Sequence, residues 1–195
     1  FQRSFLVLLA PWLISVLAQS AGRVYLLLRY AAPGTYDALP QAVKQRLEGL
    51  QAEHSYLLHY ETLRAKSPWR PALTQAQIDE VKPAVHPVVH THPGNGRKAL
   101  FVSEHFTGRI VGLPADESRD LLQQLFAHSV QPQFVYRHQW QPHDLVFWDN
   151  RSLIHLAGGT PDHLRRKLYR TTIEGDVPFQ ASPRLIHKER HASVS

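Results

Sequence analysis

Gln141-Pro-His-Asp-Leu-Val-Phe-Trp-Asp-Asn-Arg-Ser-Leu-Ile-His155 is the stretch that decides how this chain folds. Pro142, His143 and Asp144 have turn composition, and Leu145 to Asp149 reads as a buried strand. Asp149-Asn-Arg151 breaks that strand and re-aims the chain, so that His155 stands just past a short apolar pair. A second strand then runs from Arg166 to Ile173, and period-two alternation puts Arg166, Leu168, Arg170 and Thr172 on one face. Four residues at ~3.3 Å each separate the two arginines by roughly 13 Å. Two unpaired guanidiniums inside a barrel would be unfavourable by several kcal/mol. Two anionic ligands, or one ligand and one acidic side chain, would resolve this. Arginine suits bidentate binding of carboxylate or sulfonate, at ~1.5–3 kcal/mol net per charge-assisted bond. A solvent-facing basic strand is the competing interpretation.

Outward from this stretch the pattern is that of a sheet protein. Phe134 to Trp140, Leu145 to Trp148 and Lys167 to Ile173 are strand-like. Gly94-Asn-Gly96 is a turn signal between the apolar runs His86–His90 and Ala99–Val102, which predicts a hairpin. Pro114 to Asp120 opens a helix whose apolar stripe is Leu121, Leu122, Leu125 and Phe126. Pro40 followed by Val43, Leu47 and Leu50 predicts a helix with proline in its first turn. Thr74-Gln-Ala-Gln77 is a capping-box pattern opening a short helix to about Val81. Many strands with only peripheral helices predict a mainly β, antiparallel sandwich.

Composition bounds the class. The chain has 195 residues, 43% of them apolar and 19% charged, which suits one domain with a sizeable core. Residues 1–179 are expected to form that domain, with 1–36 atypical and 180–195 a polar tail. Absence of cysteine excludes a disulfide scaffold and thiolate metal sites. The net charge of +6 favours anionic ligands. No zinc-finger spacing or recognition helix accompanies the basic residues, so no nucleic-acid partner is expected.

The first 36 residues contain no Asp or Glu, whereas all 16 acids lie from Asp37 onward. Their apolar run from Phe5 is too short to span a bilayer, and Pro11 interrupts it, so no membrane association is expected. Arg3 ahead of that run and Ala18-Gln-Ser-Ala21 after it allow a signal-peptide interpretation; one or two buried strands are the favoured one. The chain holds no methionine and starts at Phe1, as a fragment, a trimmed chain or a mis-called reading frame would. The cytoplasm is the default location.

Thirteen histidines invite metal hypotheses. His90 and His92 could chelate from one side of a strand, but Pro93 and the turn signal predict surface or loop positions for His86, His90 and His92. His138 and His143 carry no partner signal, and His54, His59, His105, His128 and His163 are isolated and expected to be structural.

Four segments together resemble the taurine dioxygenase (TauD/TfdA) family of iron(II)- and 2-oxoglutarate-dependent dioxygenases. They are Val85-His-Pro-Val-Val-His-Thr-His-Pro-Gly-Asn-Gly-Arg-Lys-Ala-Leu-Phe-Val102, Phe106-Thr-Gly-Arg-Ile-Val-Gly-Leu113, Trp148-Asp-Asn-Arg151 with His155, and Arg166 with Tyr169-Arg170-Thr-Thr-Ile-Glu-Gly-Asp176. The resemblance implies a double-stranded β-helix, or jelly roll, incomplete at its N-terminus. It also implies that His155 is one iron ligand of a 2-His-1-carboxylate triad, that Arg166 holds the far carboxylate of 2-oxoglutarate, that Arg170 meets the acidic group of the substrate, and that Phe106 lines the substrate pocket. Asp149 and Asn150 would brace the turn before His155. Fe(2+), with 2-oxoglutarate and O2 as co-substrates, would hydroxylate a small anionic compound of the taurine or alkylsulfonate kind. A homo-oligomer is plausible on the same ground.

Two departures from the family pattern stand beside these matches. The family's His-x-Asp pair is expected just before a Ser-Phe-like segment, and Ser4-Phe5 is preceded by Gln2 about where that Asp belongs. Gly22-Arg23-Val24 stands where the family has Gly-Asp-Thr, and valine offers no hydroxyl. Beside the dioxygenase, the sequence therefore allows an inactive relative that keeps the fold and an anion pocket, and a basic interaction module.

Overall fold

The computed structural model describes residues 14–20, 25–29, 33–141, 143–157, 166–173 and 178. Its elements run β1 (Ile14–Ser20), β2 (Tyr25–Arg29), α1 (Pro33–Asp37), α2 (Gln41–Leu47), β3 (Gln51–His54), α3 (Tyr56–Lys66) and α4 (Gln75–Glu80). They continue with β4 (Ala84–Pro87), β5 (Val89–Thr91), β6 (Lys98–Leu100), β7 (Thr107–Ile110) and α5 (Ala115–Ser129). A 3-10 turn at Pro132–Phe134 leads to β8 (Val135–Gln139), β9 (Leu145–Trp148), β10 (Ile154–Ala157) and β11 (Arg166–Thr172).

Strand pairing among the described residues is antiparallel throughout, as the sandwich expectation requires. β1 lies between β11 and β9, β2 between β10 and β8, and β3 between β4 and β7, while β5 and β6 form the hairpin turned by Gly94–Gly96. The apolar segment at the start of the chain thus supplies two central strands. Ser4-Phe5, Gln2, Gly22-Arg23-Val24, His163 and the tail 180–195 lie outside the described residues.

Local chemistry explains the helices. Thr74 and Gln77 form the complete capping box of α4, satisfying two otherwise orphaned backbone N–H groups. Ser55 caps α3 by accepting from the Leu58 N–H. α5 follows Pro114, carries Asp116 and Glu117 in its first turn where the helix dipole favours acids, and buries Leu121, Leu122 and Leu125. Its Ser118 hydroxyl accepts from the Ile110 N–H at 2.7 Å, fastening the helix to the end of β7. The core gathers Leu47, Ala52, Val88, Val89, Leu100, Ile110, Leu121 and Leu125.

Two expectations change. The run His86–His90 is not one strand. β4 ends at Pro87 and pairs with β3, whereas β5 pairs with β6, because the Val88 backbone N–H bonds Leu50 and its carbonyl bonds Phe101, carrying the chain between sheets. β9 is not buried along its length: Leu145 and Phe147 are 52% and 54% exposed, and only Trp148 is fully covered. Alternation is the reason, since Leu145 and Tyr169 both pair with Leu17 and show one face of the sheet to solvent. Finally, α3, β3, β7 and β10 carry no pattern strong enough to have been anticipated. No helix among the described residues is long and apolar enough to cross a membrane.

Candidate functional site: a histidine-lined cleft beside the His155 strand

The break after β9 is a tight, fully bonded turn. The Asp149 carbonyl accepts from the Ser152 and Leu153 N–H groups, both at 3.0 Å. Its carboxylate accepts from the Arg151 backbone N–H at 2.9 Å and from the Arg151 guanidinium at 2.6–3.0 Å. Across the fold, His92 Nε2 meets the same carboxylate at 2.9 Å. Because His92 Nδ1 accepts from the Gly94 N–H, the proton sits on Nε2 and is donated to Asp149. Burial alone would raise the Asp149 pKa, but the bonds from Arg151 and His92 outweigh it and hold the carboxyl at about 2. Asn150 adds a brace by accepting from the Trp148 indole N–H at 2.9 Å.

This turn forms one wall of a cleft holding about 590 Å³ of empty space, its open mouth included. Asn150 to Ile154 face His54, His86, Phe101 and Phe106, with Leu100, Val102 and Ser103 between them. Phe101 gathers histidines: its ring centroid lies 5.5 Å from that of His54, 5.6 Å from that of His86 and 5.7 Å from that of His90. Burial, with His86 adding repulsion, pushes the His54 pKa down to about 4, and burial lowers that of His86 too. Phe106 joins the cleft to a buried cluster of Tyr56, Tyr60 and Val81 and stacks on His59 at 4.5 Å.

His155 sits on β10 just beyond this wall, with its ring 5.0 Å from that of Trp148. Trp148 and Thr172 pair with Ile14, and Val146 and Arg170 with Val16, so Arg170 shares a sheet face with Trp148. Burial, then the charge of Arg170, lower the His155 pKa to about 4. Arg170 keeps contact with solvent as a residue, yet the protein around its guanidinium is dense enough to pull its own pKa down. Among the described residues no carboxylate offsets that desolvation. The fold therefore brings His155 and Arg170 together; Phe106 lines the cleft, whose wall ends at Ile154, the residue before His155. Arg166 begins β11 opposite Ser20, and its side chain is outside the described residues.

Several histidines depart from expectation. His90 is 2% exposed in a strand whose three residues are all buried, because the hairpin packs inward rather than at the surface. His92 is half-buried and paired with Asp149, and His86 lines the cleft, so neither is a free loop residue. His138 has a partner, Asp144, at 3.0 Å. His54 is a cleft residue as well as a structural one. Only spacing could have hinted at these roles, since the partners lie 57 residues away for His92 and 53 for His54.

Among the described residues no three His, Cys, Asp or Glu side chains converge as a metal site would require. His155 meets an aromatic ring and a positive charge, and His54 and His86 face each other without a third donor. The described donor set does not fit an iron centre.

Neutral, buried His54 has a consequence for acid stability. Its folded pKa of about 4 lies below the unfolded value of 6.5, so the unfolded chain takes up the proton first. Its full contribution is present above pH ~6.5 and is lost toward pH ~4, about 3 kcal/mol in all. Denaturation midpoints across that window are expected to fall more steeply in the wild type than in His54→Phe; equal slopes contradict this.

A family model described as taurine catabolism dioxygenase TauD, TfdA family matches residues 34–172. The alpha-ketoglutarate-dependent 2,4-dichlorophenoxyacetate dioxygenase of Cupriavidus pinatubonensis is 42% identical over 142 residues, 73% of this chain and 47% of the relative. The alkylsulfatase of Acinetobacter baylyi is 34% identical over 146 residues, 73% of this chain and 45% of the relative. The chain spans about half the length of the curated relatives it matches. Among solved structures, AAD-2 in complex with Mn(II) and N-oxalylglycine superposes with a TM-score of 0.77 at 30% identity, covering 90% of this chain and 68% of that one. A taurine dioxygenase from Burkholderia xenovorans gives 0.70 at 30% identity, covering 87% and 56%. On these matches and the antiparallel, strand-rich architecture, the chain belongs to the TauD/TfdA family of alpha-ketoglutarate-dependent dioxygenases and has their jelly-roll fold.

Proposed function

We propose that the protein is a 2-oxoglutarate-dependent dioxygenase acting on a small organic anion. In this reading Arg166 anchors the far carboxylate of 2-oxoglutarate, Arg170 receives the acidic group of the substrate, Phe106 packs on the substrate's body, and His155 is one ligand to Fe(2+), with O2 as co-substrate. The observation that carries it is Arg170, an exposed residue whose guanidinium is still desolvated enough to lower its pKa and whose charge lowers that of neutral His155, on the strand after the one that follows the cleft wall.

The cleft narrows the substrate class. Among the described residues its wall includes Leu100, Phe101, Val102, Phe106, Leu153 and Ile154, with Arg151 but no Asp or Glu. An aminosulfonate such as taurine would leave its ammonium without a counter-charge there. An anion with an uncharged, apolar body fits better, and 2,4-dichlorophenoxyacetate, named for a relative, has that character. No nucleic acid or membrane partner is called for.

Of the three protein donors of a facial triad, the described residues offer His155 alone, so what they do on their own is bind and orient anions. That observation favours a second reading, a relative that keeps the anion pocket without turnover. Anaerobic titration with iron(II) and 2-oxoglutarate separates the two. A visible charge-transfer band that His155→Ala abolishes supports the dioxygenase. Anion binding without the band supports the second reading, and neither signal sinks both. Arg166→Ala is expected to raise the 2-oxoglutarate concentration needed for half-saturation by at least about tenfold; an unchanged requirement removes the role assigned to it.

A further inference from the structure

His54 is 6% exposed and lines the cleft from the end of β3. Its two ring nitrogens have different surroundings. Nδ1 lies 3.2 Å from the hydroxyl of Thr107, which is itself buried. That hydroxyl already accepts the Ser103 backbone N–H at 2.8 Å. A hydroxyl carries one hydrogen, and among the described residues the only acceptor within reach of this one is His54 Nδ1. The relay Ser103 N–H to Thr107 Oγ1–H to His54 Nδ1 therefore makes Nδ1 an acceptor, and the proton of the neutral ring resides on Nε2.

Nε2 is buried and has no hydrogen-bond partner among the described residues. A buried N–H left unmade is costly, and such orphans in native proteins are explained by function or by a missing partner. No protein atom among the described residues bonds Nε2, and His54 lines the cleft, so the cleft is where an acceptor can arrive. The His86 and Phe101 rings lie against it at 5.6 and 5.5 Å between centroids, and the cleft wall mixes apolar residues with Ser103, Asn150, Arg151 and Ser152. Neutrality of both histidines suits an uncharged acceptor better than a second anion.

We propose that His54 is the specificity-determining donor of the cleft, its Nε2–H received by an uncharged oxygen, ether or carbonyl, on the body of a ligand whose anionic end lies at Arg170. The proposal rests on the reading of the cleft as the seat of the substrate. No residue assigned to 2-oxoglutarate or metal takes part in it, and Thr107 acts only by positioning the ring.

Two probes of equal shape test it: phenoxyacetate, which has an ether oxygen, and 3-phenylpropionate, which has a methylene in its place. The wild-type chain is expected to bind phenoxyacetate about tenfold more tightly in calorimetry, and His54→Phe to erase that preference. Equal affinities in the wild type, or an unchanged preference in His54→Phe, overturn the proposal. Should His54→Phe fail to fold, nitrogen-15 spectra of histidine-labelled wild-type protein decide. A protonated Nε2 that shifts with phenoxyacetate and not with 3-phenylpropionate supports it, and a protonated Nδ1 overturns it. Arg170→Ala separates this from the parent reading. Equal loss of affinity for both probes upholds the anion anchor. Unchanged affinity with the preference intact removes the anchor and leaves His54 in its role, and binding of neither probe by the wild type overturns both.

Discussion

Arg170→Ala is expected to weaken the binding of a small carboxylate or sulfonate by roughly ten- to a hundredfold, the equivalent of one charge-assisted bond pair. Desolvation lowers the pKa of its guanidinium, and among the described residues no carboxylate stands against it. The free protein should therefore lose no stability from the substitution, and removal of the nearby charge should let the His155 pKa rise. Arg170→Lys keeps the charge without the planar fork and is expected to recover only part of the affinity. Calorimetric titration with phenoxyacetate, paired with thermal unfolding of each variant, checks this. An Arg170→Ala protein that binds as tightly as the wild type would dispose of the anchor.

Asp149→Ala is expected to destabilise the fold by about 1–3 kcal/mol, through loss of a partly buried, hydrogen-bonded charge network. The carboxylate receives the Arg151 backbone N–H, the Arg151 guanidinium and His92, and its removal takes all of these bonds away. The damage should reach the cleft, because Asn150 to Ile154 form one of its walls. Asp149→Asn, which keeps an acceptor oxygen without the charge, should cost about half as much. By contrast, Arg97 and Asp37 form an ion pair at 3.0 Å with both side chains more than half exposed, and breaking it should cost under about 1 kcal/mol. Urea denaturation of the variants ranks them. Near-equal losses for the partly buried and exposed pairs would contradict the account of the turn.

Much of the architecture was legible because its causes are local. The α4 capping box is made by two side chains three residues apart, Thr74 and Gln77, and the β5–β6 turn by Gly94 to Gly96, whose Gly96 has a φ of 68° that favours glycine. The stripe Leu121, Leu122, Leu125 lies on one helical face whatever it packs against. The division of His86 to His90 between two sheets was not legible, since it depends on where the Val88 backbone finds partners, in Leu50 and Phe101. The half-exposed β9 was misread for a related reason: its apolar residues say nothing about which face has neighbours.

By itself, then, the sequence determined the strand-rich fold class, the α4 cap, the hairpin turn and the placing of Arg166 and Arg170 on one strand, consequences of spacing within a few residues, while the family came from the resemblance of four longer segments. Only the tertiary structure decided which histidines matter. His92 reaches Asp149 across 57 residues and His54 reaches Thr107 across 53, while His90 disappears into the hairpin core. The reason is that burial and hydrogen-bond pairing between distant segments set the proton position and charge of an imidazole. A histidine read in the chain alone carries neither.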